Sequence, residues 1–135
     1  MSLAVPPRRP REKLETEIVH EIMLAVNATG FARVWRNNTG RLPDANGRTV
    51  TYGLAKGSAD LIGSVTVRVW QPLHSGKSVD FARFLALEVK RPGKLPTEDQ
   101  DRWLRIVYEM GGVAAVVTSA VEALAVITEA QTWLR

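Results

Sequence analysis

The chain has no cysteine and only two histidines in 135 residues. Lack of cysteine excludes a disulfide framework and a zinc–thiolate site, and fits a cytoplasmic protein. His20 and His74 share no ligand spacing, and both read as solvent-exposed. No apolar run approaches the roughly 20 residues that a membrane span needs. Met1 to Arg11 has no apolar stretch of the secretory-signal kind, so the expectation is a cytoplasmic protein without a membrane partner. Neither Gly-x-Gly-x-x-Gly nor the P-loop pattern occurs, which weighs against a dinucleotide enzyme or an NTPase. Internal repeats are absent too.

What is present is an ordinary globular composition with a basic excess. Eighteen Lys and Arg face fourteen Asp and Glu, a net charge of +4. Only Arg135 lies beyond Arg105, so the excess belongs to the first two-thirds of the chain. An Arg-rich balance favours a polyanionic partner, although plain solubility accounts for so modest a charge equally well. The length suits one core, not two. Residues 1–12, with Pro6, Pro7, Pro10, Arg8, Arg9 and Arg11, read as a basic flexible tail, and 13–135 as a single domain.

Hydrophobic spacing sets the elements. Leu14, Ile18, Ile22 and Ala25, with Val19, Met23 and Val26, predict a helix over 13–28 that Gly30 ends. Residues 31–35 read as a strand, 36–49 as loop chemistry, and 49–52 as a further short strand. Two long runs, 60–70 and 81–90, form an antiparallel hairpin around a turn over 71–78. A helix over 97–110, a strand over 113–117 and a helix over 119–133 complete the chain. The expected fold is α/β, a mixed β-sheet flanked by helices.

The chemistry centres on Leu85-Ala86-Leu87-Glu88-Val89-Lys90. Strand side chains alternate, so Glu88 and Lys90 project from one face of a buried strand. A Glu-x-Lys triplet alone is common, and its plain reading is a strand-end ion pair. Asp60, however, opens the neighbouring strand, and a hairpin brings it beside Glu88. Gly57, Ser58 and Ala59 leave room for a backbone or a metal ion to approach. Two carboxylates there suit a hard divalent cation such as Mg²⁺, which takes oxygen ligands and keeps several waters. Lys90 would then help deprotonate a water and neutralise charge on a scissile phosphate. Such a site on a basic chain points to phosphodiester hydrolysis.

Asp60 followed by Glu88-Val89-Lys90 resembles the metal-binding motif of the PD-(D/E)xK nuclease superfamily. Trp35 to Gly40, Tyr52-Gly53, Lys56 to Gly63, Glu88 to Gly93, Gln100 and Gly111-Gly112 together resemble stand-alone VRR-NUC domain proteins of bacteria and phages. The resemblance implies a restriction-endonuclease-like core and a Mg²⁺- or Mn²⁺-dependent DNA endonuclease holding one or two ions. Asp60 and Glu88 would be ligands, the Val89 carbonyl would face the metal, and Lys90 would be catalytic. Branched DNA such as four-way junctions is the implied substrate. A homodimer would supply paired nicks, with the last helix (Val121, Leu124, Val126, Ile127, Trp133, Leu134) as a possible interface. One departure is Ala59, where the superfamily has Pro before the Asp; the position carries no chemistry.

The family also has a carboxylate on the first helix. Glu15 leads Ile18 and Ile22 by three and seven positions, so it shares the buried stripe, whereas Glu17 aligns with the wet face. Gln100 has two open readings: a capping-box partner of Thr97, or a site residue aimed at the strand ends. Arg36, Asn37, Asn38, Arg41, Lys56 and Arg91 are candidate DNA contacts, and Trp35 is a candidate stacking platform. Two other readings stand beside the nuclease. One is a non-catalytic DNA-binding scaffold with the same fold, and the other a small interaction domain whose ion pairs are structural.

Overall fold

A computed structural model of the chain describes residue 4, residues 6–71 and residues 76–132. The first periodic stretch forms helix α1 (Glu15–Ala28), with Ile18, Val19, Ile22 and Val26 buried along one side. It starts later than the expected residue 13. The Glu17 side chain accepts from the Leu14 backbone N–H at 2.7 Å and closes the first turn. Arg11 of the basic tail, and Lys13 just after it, are tied to the helix by ion pairs to Glu17 and Glu21. Gly30, at φ 80°, turns the chain into strand β1 (Ala32–Arg36).

A two-stranded hairpin follows, β2 (Gly40–Pro43) paired antiparallel with β3 (Thr49–Tyr52). The loop expected over 36–49 therefore contains a strand. Every β2 and β3 residue is exposed except half-buried Gly40, so the segment shows no hydrophobic alternation to read. Its turn is set by Asp44, whose Oδ1 accepts the N–H groups of Asn46 and Arg48, each at 2.8 Å.

The two long runs are β4 (Leu61–Gln71) and β5 (Lys77–Val89), paired antiparallel from Leu61↔Leu87 to Gln71↔Lys77. After them come α2 (Glu98–Glu109), β6 (Val113–Val117) and α3 (Ala120–Ala130). The main sheet has the order β1-β4-β5-β6, with β5 and β6 parallel and the other pairs antiparallel. The fold is thus α/β with a mixed sheet, as the sequence predicts. β1 pairs with β4 only from Leu61 to Val65, and β6 meets β5 only from Leu85 to Val89. The rest of the long hairpin extends as a two-stranded arm, clasped by the Arg68–Asp80 pair at 2.7 and 3.0 Å.

Alternation along β5 divides the core in two. Leu85, Leu87 and Val89 pack with α1 and with Ala123, Ile127 and Ala130 of α3. Ala86 faces the other way, against Ala59 and against Leu104 and Val107 of α2. Each fully buried aliphatic side chain contributes about 1.5–3 kcal/mol relative to exposure, so the first face is the main source of stability. Gly63 marks its tightest seam. A Cβ there would meet the Arg33 carbonyl oxygen at 1.8 Å, and only a residue without one lets β1 close on β4.

Helix α3 packs Ala123, Ile127 and Ala130 into its own domain, with Leu124 and Val126 half-buried beside them, and Val121 is exposed, at 78%. His74, Trp133 and Leu134 lie outside the described residues, and His20 is exposed as expected. No described helix is long and apolar enough to cross a membrane.

Candidate active site

The topology gathers six chain segments at one end of the sheet. β1 ends there at Arg36, β4 begins there at Leu61, and β5 and β6 end there at Val89 and Val117. Helix α2 starts there too, after the short link from Lys90. Helix α1 ends just before β1 begins at the far end, so its first turn, with Glu15, returns to this same end.

Glu88 is the centre. It shares the Ala86 face of β5, beneath the start of α2, and its side chain is only 1% exposed. Oε1 takes two donors, the Lys90 ammonium at 3.2 Å and the Gln100 amide Nε2 at 2.5 Å. Oε2 is buried and has no hydrogen-bond partner. Burial, followed by the repulsion of the Asp60 carboxylate, pushes the Glu88 carboxyl up to about 7, against the pull of Lys90 and of the nearby Asp60 backbone N–H. A carboxylate with one oxygen doubly held and the other buried with no formed hydrogen bond is costly by itself. It is the arrangement that a cation would complete.

Asp60 stands beside it. Its Oδ2 accepts the Val89 backbone N–H at 2.9 Å, which fixes the carboxylate across the β4–β5 junction. The approach segment is held from β1's end by Asn37. The Asn37 N–H donates to the Asp60 carbonyl at 2.8 Å, and its amide Nδ2 donates to Ser58 Oγ at 2.8 Å and the Ala59 carbonyl at 2.9 Å. Asn37 is therefore a positioning residue for Asp60, a role that the sequence reading, which offered it as a phosphate contact, missed. Gly57 completes the approach at φ 82°, pressed so closely on the Asp99 backbone that a Cβ would lie 2.6 Å from it.

Gln100 fulfils both readings that the sequence left open. Its Oε1 accepts the Thr97 N–H at 2.8 Å, closing the capping box of α2, while its Nε2 holds Glu88. Glu15 is half-buried at the site end, on the helix covering the opposite face, and makes no hydrogen bond or ion pair with the cluster. Glu17 is the cap of α1 and pairs with Arg11. Among the candidate DNA contacts, Arg36, Asn38 and Arg41 are exposed and Arg91 is half-buried. Lys56 pairs with Asp99 at 3.1 Å, a surface pairing worth at most about 1 kcal/mol.

Among the described residues no three or more His, Cys, Asp or Glu side chains converge as a metal cage. Two carboxylates with an orphaned oxygen instead fit an ion of the Mg²⁺ type, which retains waters and shares its shell with a substrate phosphate. Two cavities of about 380 Å³ lie elsewhere, around Arg83 and Gly112. Comparison with known proteins finds no family model and no curated protein that matches this chain.

Proposed function

We propose that the chain is a Mg²⁺- or Mn²⁺-dependent endodeoxyribonuclease with a restriction-endonuclease-like core, acting on branched DNA. The observation that carries this reading is the Glu88 carboxylate, buried beside Asp60 with Oε2 unpartnered while Lys90 and Gln100 hold Oε1. Asp60, Glu88 and the backbone of Val89 would hold the ion. The cation would supply Lewis-acid activation and charge neutralisation at the scissile phosphate. The residues around it do the rest. Gln100 fixes the rotation of the Glu88 carboxylate, and Asn37 fixes the height of Asp60. Lys90, its ammonium already inside the cluster, offers a positive charge to the phosphate and a proton-transfer group to the attacking water. Arg36 and Arg91 flank the same sheet end and supply phosphate contacts.

The test is cleavage of duplex, flap, splayed-arm and four-way-junction DNA with Mg²⁺, with Mn²⁺ and in EDTA. Metal-dependent incision that Glu88→Gln abolishes is the expected result. Binding of DNA without metal-dependent incision of any substrate would leave the scaffold reading in its place.

A further inference from the structure

Helix α2 rests on β5 and β6, and among the described residues no helix packs comparably on the β1–β4 half of the same sheet face. The ladders define two rows across that face, Trp35–Ile62–Ala86 and Arg33–Ser64–Phe84. Trp35 is 56% exposed, and Phe84, packed edge-on against Trp103 of α2, forms the wall of the trough. The Trp35 row lies next to Glu88, two residues along β5 from Ala86. Standard strand spacing puts Trp35 about 12 Å from Glu88 on that face.

The chain from β1 to the approach of β4 is strongly basic, and Lys56 alone of its basic side chains is paired with a carboxylate, Asp99, among the described residues. Residues 33–56 hold five basic side chains, Arg33, Arg36, Arg41, Arg48 and Lys56, against one acidic side chain, Asp44. Their difference, +4, equals the net charge of the whole chain. Asp44 is committed to its own turn. None of the four arginines has an ion pair among the described residues, whereas Arg68, Arg102 and Arg105 are each paired with a carboxylate. The β2–β3 hairpin, which carries Arg41 at its exposed surface, follows directly from the end of β1. Gly53 at its base lies so close to the Asn38 carbonyl that a Cβ would meet it at 2.5 Å.

We infer that this half-face binds single-stranded DNA, with a base stacked on Trp35 and phosphates held by Arg33, Arg41 and Arg48, leading the strand to the Asp60–Glu88 cluster. An exposed aromatic on a flat sheet face beside unpaired arginines is the arrangement that takes unstacked bases, and a base can stack there only when it is unpaired. The inference rests on the nuclease reading for its choice of DNA, and narrows the branched substrate to one with a single-stranded arm.

The experiment is fluorescence anisotropy of a labelled oligo-thymidylate with the full chain in EDTA, where no cleavage enters. Trp35→Ala should weaken binding about tenfold or more, from loss of one stacked base. Arg33→Ala and Arg41→Ala should each flatten the logarithmic salt slope by about 0.7. Trp70→Ala, an exposed tryptophan roughly 26 Å further along β4, should change neither. Wild-type affinity for Trp35→Ala, an equal loss for Trp70→Ala, or tighter binding of blunt duplex than of the oligonucleotide would overturn the inference. These outcomes are separate from the nuclease test. A chain that binds the oligonucleotide through Trp35 but cuts nothing sinks only the catalytic reading, and one that cuts while Trp35→Ala binds normally sinks only this one.

Discussion

Leu87 and Glu88 are neighbours in β5 that face opposite sides of one sheet, and the two sides are built differently. On the Leu87 side, α1 and α3 cover the strands with aliphatic side chains, and among the described residues none of the fully buried ones there is charged. On the Glu88 side a single helix covers half the strands, and its edge is where Glu88, Lys90 and Gln100 meet. The closed side stabilises the fold well enough for the open side to hold a partly satisfied carboxylate. Stability and chemistry are thus separated by one step of strand alternation.

The largest expected effects test that separation directly. Glu88→Gln should reduce metal-dependent cleavage to the level of the EDTA control and leave the circular dichroism spectrum unchanged. Leu87→Ala should do the reverse in kind, lowering stability by about 3 kcal/mol in urea unfolding while the folded fraction still cleaves. Retained cleavage in the first variant, or a fold that collapses with it, would break the comparison.

Gln100 comes next. Gln100→Ala should cost about 10–100-fold in activity or metal affinity, as loss of a residue that orients a ligand does. Gln100→Glu should restore the start of α2, since either residue completes a capping box, yet fail to restore cleavage. Rescue by Glu would show that the contact to Glu88 is incidental.

A smaller effect follows from pH. The Glu88 carboxyl titrates near 7 in the folded chain and near 4.5 when unfolded, so between these values the folded state holds the extra proton. The Glu88 contribution to the stability of the metal-free protein therefore falls as pH rises from about 4.5 to about 7, with the full penalty present above that. Glu88→Gln should lack this fall. Parallel unfolding curves for the two proteins across this range would contradict the burial of an unpartnered carboxylate.

The smallest effect asks whether the closed side touches the chemistry at all. Glu15→Gln should impair cleavage more than Glu17→Gln, because Glu17 is occupied by the Leu14 N–H and Arg11, while Glu15 is half-buried and unpaired at the site end. Equal rates would confine catalysis to the α2 side.

The Asp60, Glu88 and Lys90 grouping was legible because it rests on two local rules, strand alternation and hairpin pairing. Gln100 was legible as two alternatives because helical spacing shows both a cap and a face, but not that one amide serves both. Asn37 was not legible as a positioning residue. Its bonds to Ser58 and Ala59 cross 21 and 22 positions of irregular chain, and such contacts leave no periodic trace. Strand β2 escaped for a related reason: Gly40 and Pro43 bound a four-residue segment that buries nothing large. The open half of the sheet could not be inferred either, since the span that α2 covers depends on how the helix is placed, not on its pattern.

The double bond of Gln100 also bears on how the site comes into being. Its amide oxygen accepts the Thr97 N–H at the start of α2 and its amide nitrogen donates to Glu88 of β5, so the helix cannot detach without releasing Glu88. Orientation of the carboxylate and docking of α2 are then a single cooperative event. The chain acquires a competent cluster only when the β5–α2–β6 unit is assembled, and a fluctuation that frays the start of α2 switches the cluster off before the sheet itself is disturbed.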